Sequence, residues 1–222
     1  MRTYTLVFLG AALVTPAMSV SFVVDDFTSG VPHSASVVGN GTATSRTTGS
    51  MFGGSRLILA ADFDSAYGLR SSIDALPGIA AISNDVGNSG QFWLAYLSTG
   101  ALVNGFTYSP ATDTDLSGIS KFEFDVLSSD KGFTLNVWLI GDGVSQWSKA
   151  FGPIGAPATI DVSVSDAVSS GADMSKIDAF YFEFLTERDG DLALTEIRAV
   201  PEPASLAALS LGAVALLRRR RK

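Results

Sequence analysis

The stretch Lys121 to Leu127 reads Lys-Phe-Glu-Phe-Asp-Val-Leu, and its alternation restricts what the chain can fold into. Phe122, Phe124 and Val126 alternate with Lys121, Glu123 and Asp125. Successive side chains of a β-strand point to opposite faces, so an extended segment sorts these residues into one apolar and one charged row. Phe133 to Ile140 behaves similarly, with Phe133, Leu135, Val137 and Leu139 opposite Thr134, Asn136, Trp138 and Ile140. A polypeptide built from such runs buries one face of each strand and leaves the other to solvent, as antiparallel sheets do.

The remaining runs are Ser21–Phe27, Ser55–Ala61, Ile79–Ser83, Gln91–Leu97, Ser145–Phe151, Ala158–Val164, Ile177–Leu185 and Leu192–Val200. Glycine, serine and asparagine separate them. Helical signals are confined to single turns near Asp166–Ser170 and Met174–Asp178. Ten or so strands at this spacing predict an all-β fold, an antiparallel β-sandwich of the jelly-roll kind. Thr42–Ser50 (TATSRTTGS) is expected to be a mobile loop.

The two ends of the chain differ from the body. Residues 1–19 have the form of a secretory signal: Arg2, then the apolar run Leu6–Val14, then Pro16 and the small residues Ala17 and Ser19. The C-terminus, 200–222, reads Val200-Pro201-Glu202-Pro203, then an uncharged Leu- and Ala-rich run over 204–217, then Arg218-Arg219-Arg220-Arg221-Lys222. A helix over 204–217 would be about 21 Å long. Spanning a hydrocarbon core of roughly 30 Å then needs local thinning or snorkelling of Arg218. The basic cluster would stay on the cytoplasmic side.

Those three parts, in that order beneath an export signal, resemble the PEP-CTERM sorting signal. The resemblance implies recognition by an exosortase, a membrane cysteine protease-transpeptidase that acts near the Pro-Glu-Pro motif. It implies an exported protein of a Gram-negative bacterium that makes extracellular polysaccharide, anchored transiently in the inner membrane and delivered to the cell surface or biofilm matrix. Pro201, Glu202 and Pro203 would be the recognition residues, and Arg218, Arg219, Arg220, Arg221 and Lys222 the anchor. Signal peptidase would be the other processing partner. The alternative is an ordinary single-pass anchor that stays in place.

Between the ends lies one expected domain, 20–199, the size of a single β-rich unit. It holds 21 of the 22 acids and 9 of the 15 bases, a net charge of −12. Such a body repels phosphate backbones, which argues against nucleic acid as a partner. With no cysteine in the sequence, disulfides and thiolate chemistry are excluded. Asp25-Asp26-Phe27, the turn Gly53-Gly54-x-Arg56 and the closing Leu194-Thr195-Glu196-Ile197 resemble galactose-binding-type jelly rolls, a group that includes many carbohydrate-binding modules.

Four readings of the body's chemistry stand side by side. Trp138 falls on the polar side of its strand with Asn136, and exposed aromatics beside carboxylates and amides suit sugar binding. Tyr181, Glu183, Glu123 and Asp125 are candidates to share that surface, unless a covering layer makes Trp138 core. Glu123 and Glu183 are the best carboxylate pair for a glycan-cleaving enzyme, which needs them roughly 5 to 10 Å apart. Asp25 and Asp26, with Asp189, Asp191 and Glu196, would offer oxygens to a structural calcium if the terminal strands pair. Asp113 and Asp115 form a weaker cluster of that type. His33, the sole histidine, reads as a solvated loop residue rather than part of a triad, and Trp93 and Trp147 as core or covered by loops. The favoured function is a structural or adhesive surface protein with glycan binding and no catalysis.

Overall fold

The computed structural model describes residues 21–62, 68–97, 114–141, 144–169 and 171–202. The protein divides into a body, Ser21–Pro201, and a second unit formed by residues 1–20 and 202–222. The expected signal peptide and the expected membrane helix over 204–217 lie outside the described residues. Among the described residues no helix is long and apolar enough to cross a membrane.

Thirteen strands build the described body: β1 (Phe22–Asp25), β2 (His33–Val38), β3 (Gly41–Thr48), β4 (Ser55–Asp62), β5 (Arg70–Leu76), β6 (Ile79–Asn84), β7 (Gln91–Leu97), β8 (Ile119–Ser129), β9 (Phe133–Gly141), β10 (Val144–Phe151), β11 (Ala158–Ser163), β12 (Ile177–Thr186) and β13 (Leu192–Pro201). A single helical turn, α1 (Ser165–Ser169), follows β11. Sheet 1 has the order β11-β8-β13-β6-β5-β2, with β1 also paired to β13; sheet 2 has the order β10-β9-β12-β7-β4-β3. Every strand pair is antiparallel. The result is the expected antiparallel β-sandwich of jelly-roll type.

The alternation that predicts the strands also fills the space between the sheets. Phe122 and Phe124 of β8 face Phe180, Phe182 and Phe184 of β12, all fully buried. The Phe124 and Phe182 rings meet edge to face, with centroids 4.9 Å apart at 88°. Phe122 meets Phe182 at 5.3 Å and 70°. Edge-to-face packing places the positive rim of one ring on the negative face of the other, which adds to the burial of large apolar area.

Three segments differ from the sequence reading, and one of them is β5 (Arg70–Leu76), which falls between the runs read as strands. Residues 41–48 are strand β3 rather than a mobile loop. This is an edge strand, paired only with β4; edge position and alternate exposure tolerate a Ser/Thr sequence that a central strand would not. His33 begins β2 instead of lying in a solvated loop, and it is half-buried. Its imidazole reaches across the sandwich: Nδ1 lies 3.1 Å from Ser45 Oγ, and Arg56 Nε donates to Nε2 at 3.2 Å.

Candidate functional site

The outer face of sheet 2 carries an unusual row of side chains. Because Phe180, Phe182 and Phe184 point inward, Tyr181 and Glu183 must point outward from β12. In register with Tyr181 are Trp138 on β9 and Ala95 on β7. Asn136 and Trp93 stand beside Glu183 in the same way. Leu57 and Leu59 of β4 extend these two rows past Ala95 and Trp93. The outward face of a central strand is ordinarily polar, yet here β12 is buried almost throughout.

The polar atoms of this face converge on one carboxylate. Glu183 Oε2 accepts from Asn136 Nδ2 at 2.8 Å and from Trp138 Nε1 at 3.2 Å. The pair of donors fixes the carboxylate and holds the indole in one orientation. Trp93, Trp138, Ile140, Val144, Tyr181 and Glu183 line a cavity of about 310 Å³. Three aromatic side chains and one oriented acceptor therefore face a single concavity, the composition of a small-ligand pocket. Trp138 itself is half-buried, while Tyr181 and Glu183 are each 7% exposed.

Glu123 and Asp125 do not join this face. They lie on β8 in sheet 1 and point out of the opposite side of the sandwich. The two sheets are about 10 Å apart and both carboxylates point away from the space between them. Glu123 and Glu183 therefore cannot flank one glycosidic bond, which removes the carboxylate pair of the glycan-cleaving alternative. Their shared membership of a binding surface fails for the same reason.

On sheet 1 these acids instead surround Arg198. The guanidinium contacts Asp125 through both nitrogens, at 2.6 and 2.9 Å, Glu196 at 3.0 Å and Glu123 at 3.4 Å. Lys121 lies 2.7 Å from Glu123 and 3.7 Å from Asp161. Hydrogen bonding to Arg198 lowers the Asp125 carboxyl below its usual range, while Asp125 in turn raises Arg198. A cavity of about 330 Å³ beside this network is lined by Asp125, Val126, Leu127, Pro157, Ala158, Thr159 and Thr195, with no aromatic among them.

The five acids proposed for calcium are dispersed. The terminal strands do pair, with Asp25 opposite Ile197, but Asp189 and Asp191 precede the other end of β13. The intervening five or more residues of strand span about 17 Å or more. Each acid also has another role. Asp25 Oδ2 is 2.6 Å from Arg56 Nη1, and Asp25 Oδ1 accepts the Phe27 N–H at 2.8 Å. Asp26 accepts from Thr28, Asp189 from the Gly87 N–H, Asp191 from the Asn84 N–H at 3.2 Å, and Glu196 from Arg198. Among the described residues no group of three or more His, Cys, Asp or Glu is placed to hold a metal ion. Asp115 accepts from Ser117 in a local turn, and Asp113 lies outside the described residues.

Trp147 packs into the core between the sheets, as expected. Trp93 does not: it sits on the outer face with Leu59 and Ala61. Its place is readable, because Phe92, Leu94 and Tyr96 already occupy the inward positions of β7.

Residues 199–222 match the PEP-CTERM protein-sorting motif. That motif marks a protein for export and for sorting through the membrane by an exosortase. No curated protein matches the sequence. Among solved structures, the body is similar to the family 11 carbohydrate-binding module of a cellulosomal cellulase of Clostridium thermocellum, at 15% identity and a TM-score of 0.46, covering 83% of this chain and 96% of that one. A family 29 carbohydrate-binding module complexed with mannohexaose gives 8% identity, a TM-score of 0.38 and coverage of 79% and 96%. An agarase gives 12% identity and a TM-score of 0.42, over 60% of this protein and 22% of the agarase.

Proposed function

We propose that this is an exported, non-catalytic surface or matrix protein that binds glycan through the outer face of sheet 2. The observation that carries this reading is the cavity in which Trp93, Trp138 and Tyr181 surround a carboxylate held by Asn136 and Trp138. A pyranose presents an apolar CH face and a rim of hydroxyls. Aromatic rings take the first, and an oriented carboxylate accepts from the second. Adhesion to extracellular polysaccharide follows from a binding face on a body delivered to the cell exterior. The N-terminal segment, 1–19, serves as the signal peptide, and 200–222 as the sorting tail with its short membrane helix.

The test is retention of the protein in affinity gels cast with the host's exopolysaccharide. Trp138→Ala should lose retention, and Glu123→Gln, on the opposite sheet, should keep it. Equal retention of the two variants would remove sheet 2 as the binding face. Release of reducing sugar by the unaltered protein would remove the non-catalytic reading.

A further inference from the structure

The outer face of sheet 2 carries a charge that its surroundings do not balance. Glu183 is only 7% exposed. The two donors that hold its Oε2, the Asn136 amide and the Trp138 indole, are both neutral. Among the described residues no Lys or Arg forms an ion pair with Glu183, and none lines the cavity. Arg46 of β3 shares this face, in register with Leu57, but β4 and β7 separate its strand from β12. Three strand steps amount to about 14 Å. The body's remaining segments, 63–67, 98–113, 142–143 and 170, contain neither Lys nor Arg.

We propose that the sugar selected by this cavity carries a free amino group, so that the ligand is a cationic, de-N-acetylated hexosamine within a polysaccharide. The proposal rests on the glycan-binding reading above and narrows its ligand class. A carboxylate withdrawn from water without a cation is costly, and an arriving ammonium supplies the missing charge. Both protein donors go to Oε2, which leaves Oε1 to accept from the ligand. A charged donor makes that hydrogen bond roughly twice as strong as a neutral hydroxyl does. The ammonium is also attracted to the aromatic rings of Trp93, Trp138 and Tyr181 that line the cavity, most strongly to tryptophan. An N-acetyl group removes the charge and leaves only a neutral amide donor. A uronate would set a second carboxylate against Glu183, with little water between to screen the repulsion. The body's net charge of −12 draws a polycation toward the protein, but the aromatic cavity around Glu183 chooses where the amine settles.

The experiment is calorimetric titration of the protein with glucosamine and N-acetylglucosamine oligomers of equal length, at fixed salt and a pH where the amine is protonated. The amine oligomer should bind about tenfold more tightly. Glu183→Gln should abolish that difference, whereas Glu123→Gln, which removes the same charge from the opposite sheet, should keep it. Equal affinities, or tighter binding of the acetylated oligomer, would overturn the amine assignment and leave glycan binding standing. A preference weakened equally by the two variants would reduce it to bulk charge and overturn the proposal as well. Should Glu183→Gln not fold, the unaltered protein decides: raising the pH until the amine is neutral should erase the preference, and its persistence would overturn the proposal. Failure to bind either oligomer would also overturn it, and the glycan reading then stands or falls on the gel retention of Trp138→Ala.

Discussion

Arg56 Nη1 lies 2.6 Å from Asp25 Oδ2, and both side chains are sealed from solvent at 1% and 0% exposure. The pair joins β4 of sheet 2 to β1 of sheet 1. The Arg56 guanidinium also rests over the Phe27 ring, 5.2 Å from its centroid. Phe27 adopts a left-handed backbone, φ 57°, and the Asp25 carboxylate takes its N–H. Burial and the nearby negative charge of Asp25 push the Tyr96 phenol upward. Removing one partner strands the other without water, so Asp25→Ala should cost about 3–5 kcal/mol. Replacing both, Asp25→Leu with Arg56→Met, should recover much of that loss. Urea unfolding of the two variants checks this, and a double variant no more stable than the single one would count against it.

Stability should fall as the pH drops from about 6.5 to about 4. Burial, then the charge of Arg56, lowers His33 from 6.5 to about 4. The Nε2 lone pair accepts from Arg56, so protonation would set an N–H against an N–H. Between the two values the unfolded state binds a proton that the folded state refuses, which favours unfolding as pH falls. Below about 4 both forms are protonated and this contribution is fully lost. His33→Gln should flatten the slope in that window. Melting temperatures measured at half-unit pH steps would show it, and an unchanged slope would assign the effect elsewhere.

Trp138→Phe should separate the two roles of the indole. The ring remains and the N–H to Glu183 is lost. Retention on polysaccharide should weaken less than with Trp138→Ala, for which a loss of about tenfold, ~1.4 kcal/mol, is expected. Because Trp138 is half-buried on an outer face, Trp138→Ala should cost only about 1–2 kcal/mol of stability. A much larger loss would make the residue a structural one.

Phe182→Ala should be among the most damaging single changes, at about 3–5 kcal/mol. Phe182 contacts Tyr96, Phe122, Phe124 and Phe180 through their rings, and neighbouring strands hold the cavity open. Guanidinium unfolding gives the comparison, with Leu127→Ala on the exposed face as the near-neutral control.

Chelation should leave the melting midpoint unchanged as far as Asp25, Asp26, Asp189, Asp191 and Glu196 are concerned. Their oxygens accept from Arg56, Thr28, Gly87, Asn84 and Arg198. A drop on adding EDTA, reversed by calcium, would bring a structural metal back.

Strand positions and inward faces are legible in the sequence because period two is a local signal. Phe122 and Phe124, or Phe180 to Phe184, need no knowledge of their neighbours. Pairing is different, since it depends on topology. Glu123 and Glu183 look equivalent along the sequence, yet β8 and β12 belong to different sheets. Trp138 and Glu183 meet only because the β9–β12 register places Tyr181 beside Trp138. Asp25 and Arg56 stand out as parts of two short motifs, but their contact across the core carries no mark in either. β2 escapes a sequence reading because His-Ser-Ala-Ser-Val-Val buries only Ala35 and Val37, too faint an alternation beside the loop residues before it.

Phe22 lies opposite Ala199, so the body receives its incoming strand and releases its outgoing strand side by side. Neighbouring strands are only about 4.8 Å apart. On the proposed function, which puts a signal peptide ahead of β1 and a sorting tail after β13, the polypeptide closes this sandwich as a simple loop, with no need to thread either end. Loss of either extremity under that reading leaves the pairing of β1 with β13 as it stands.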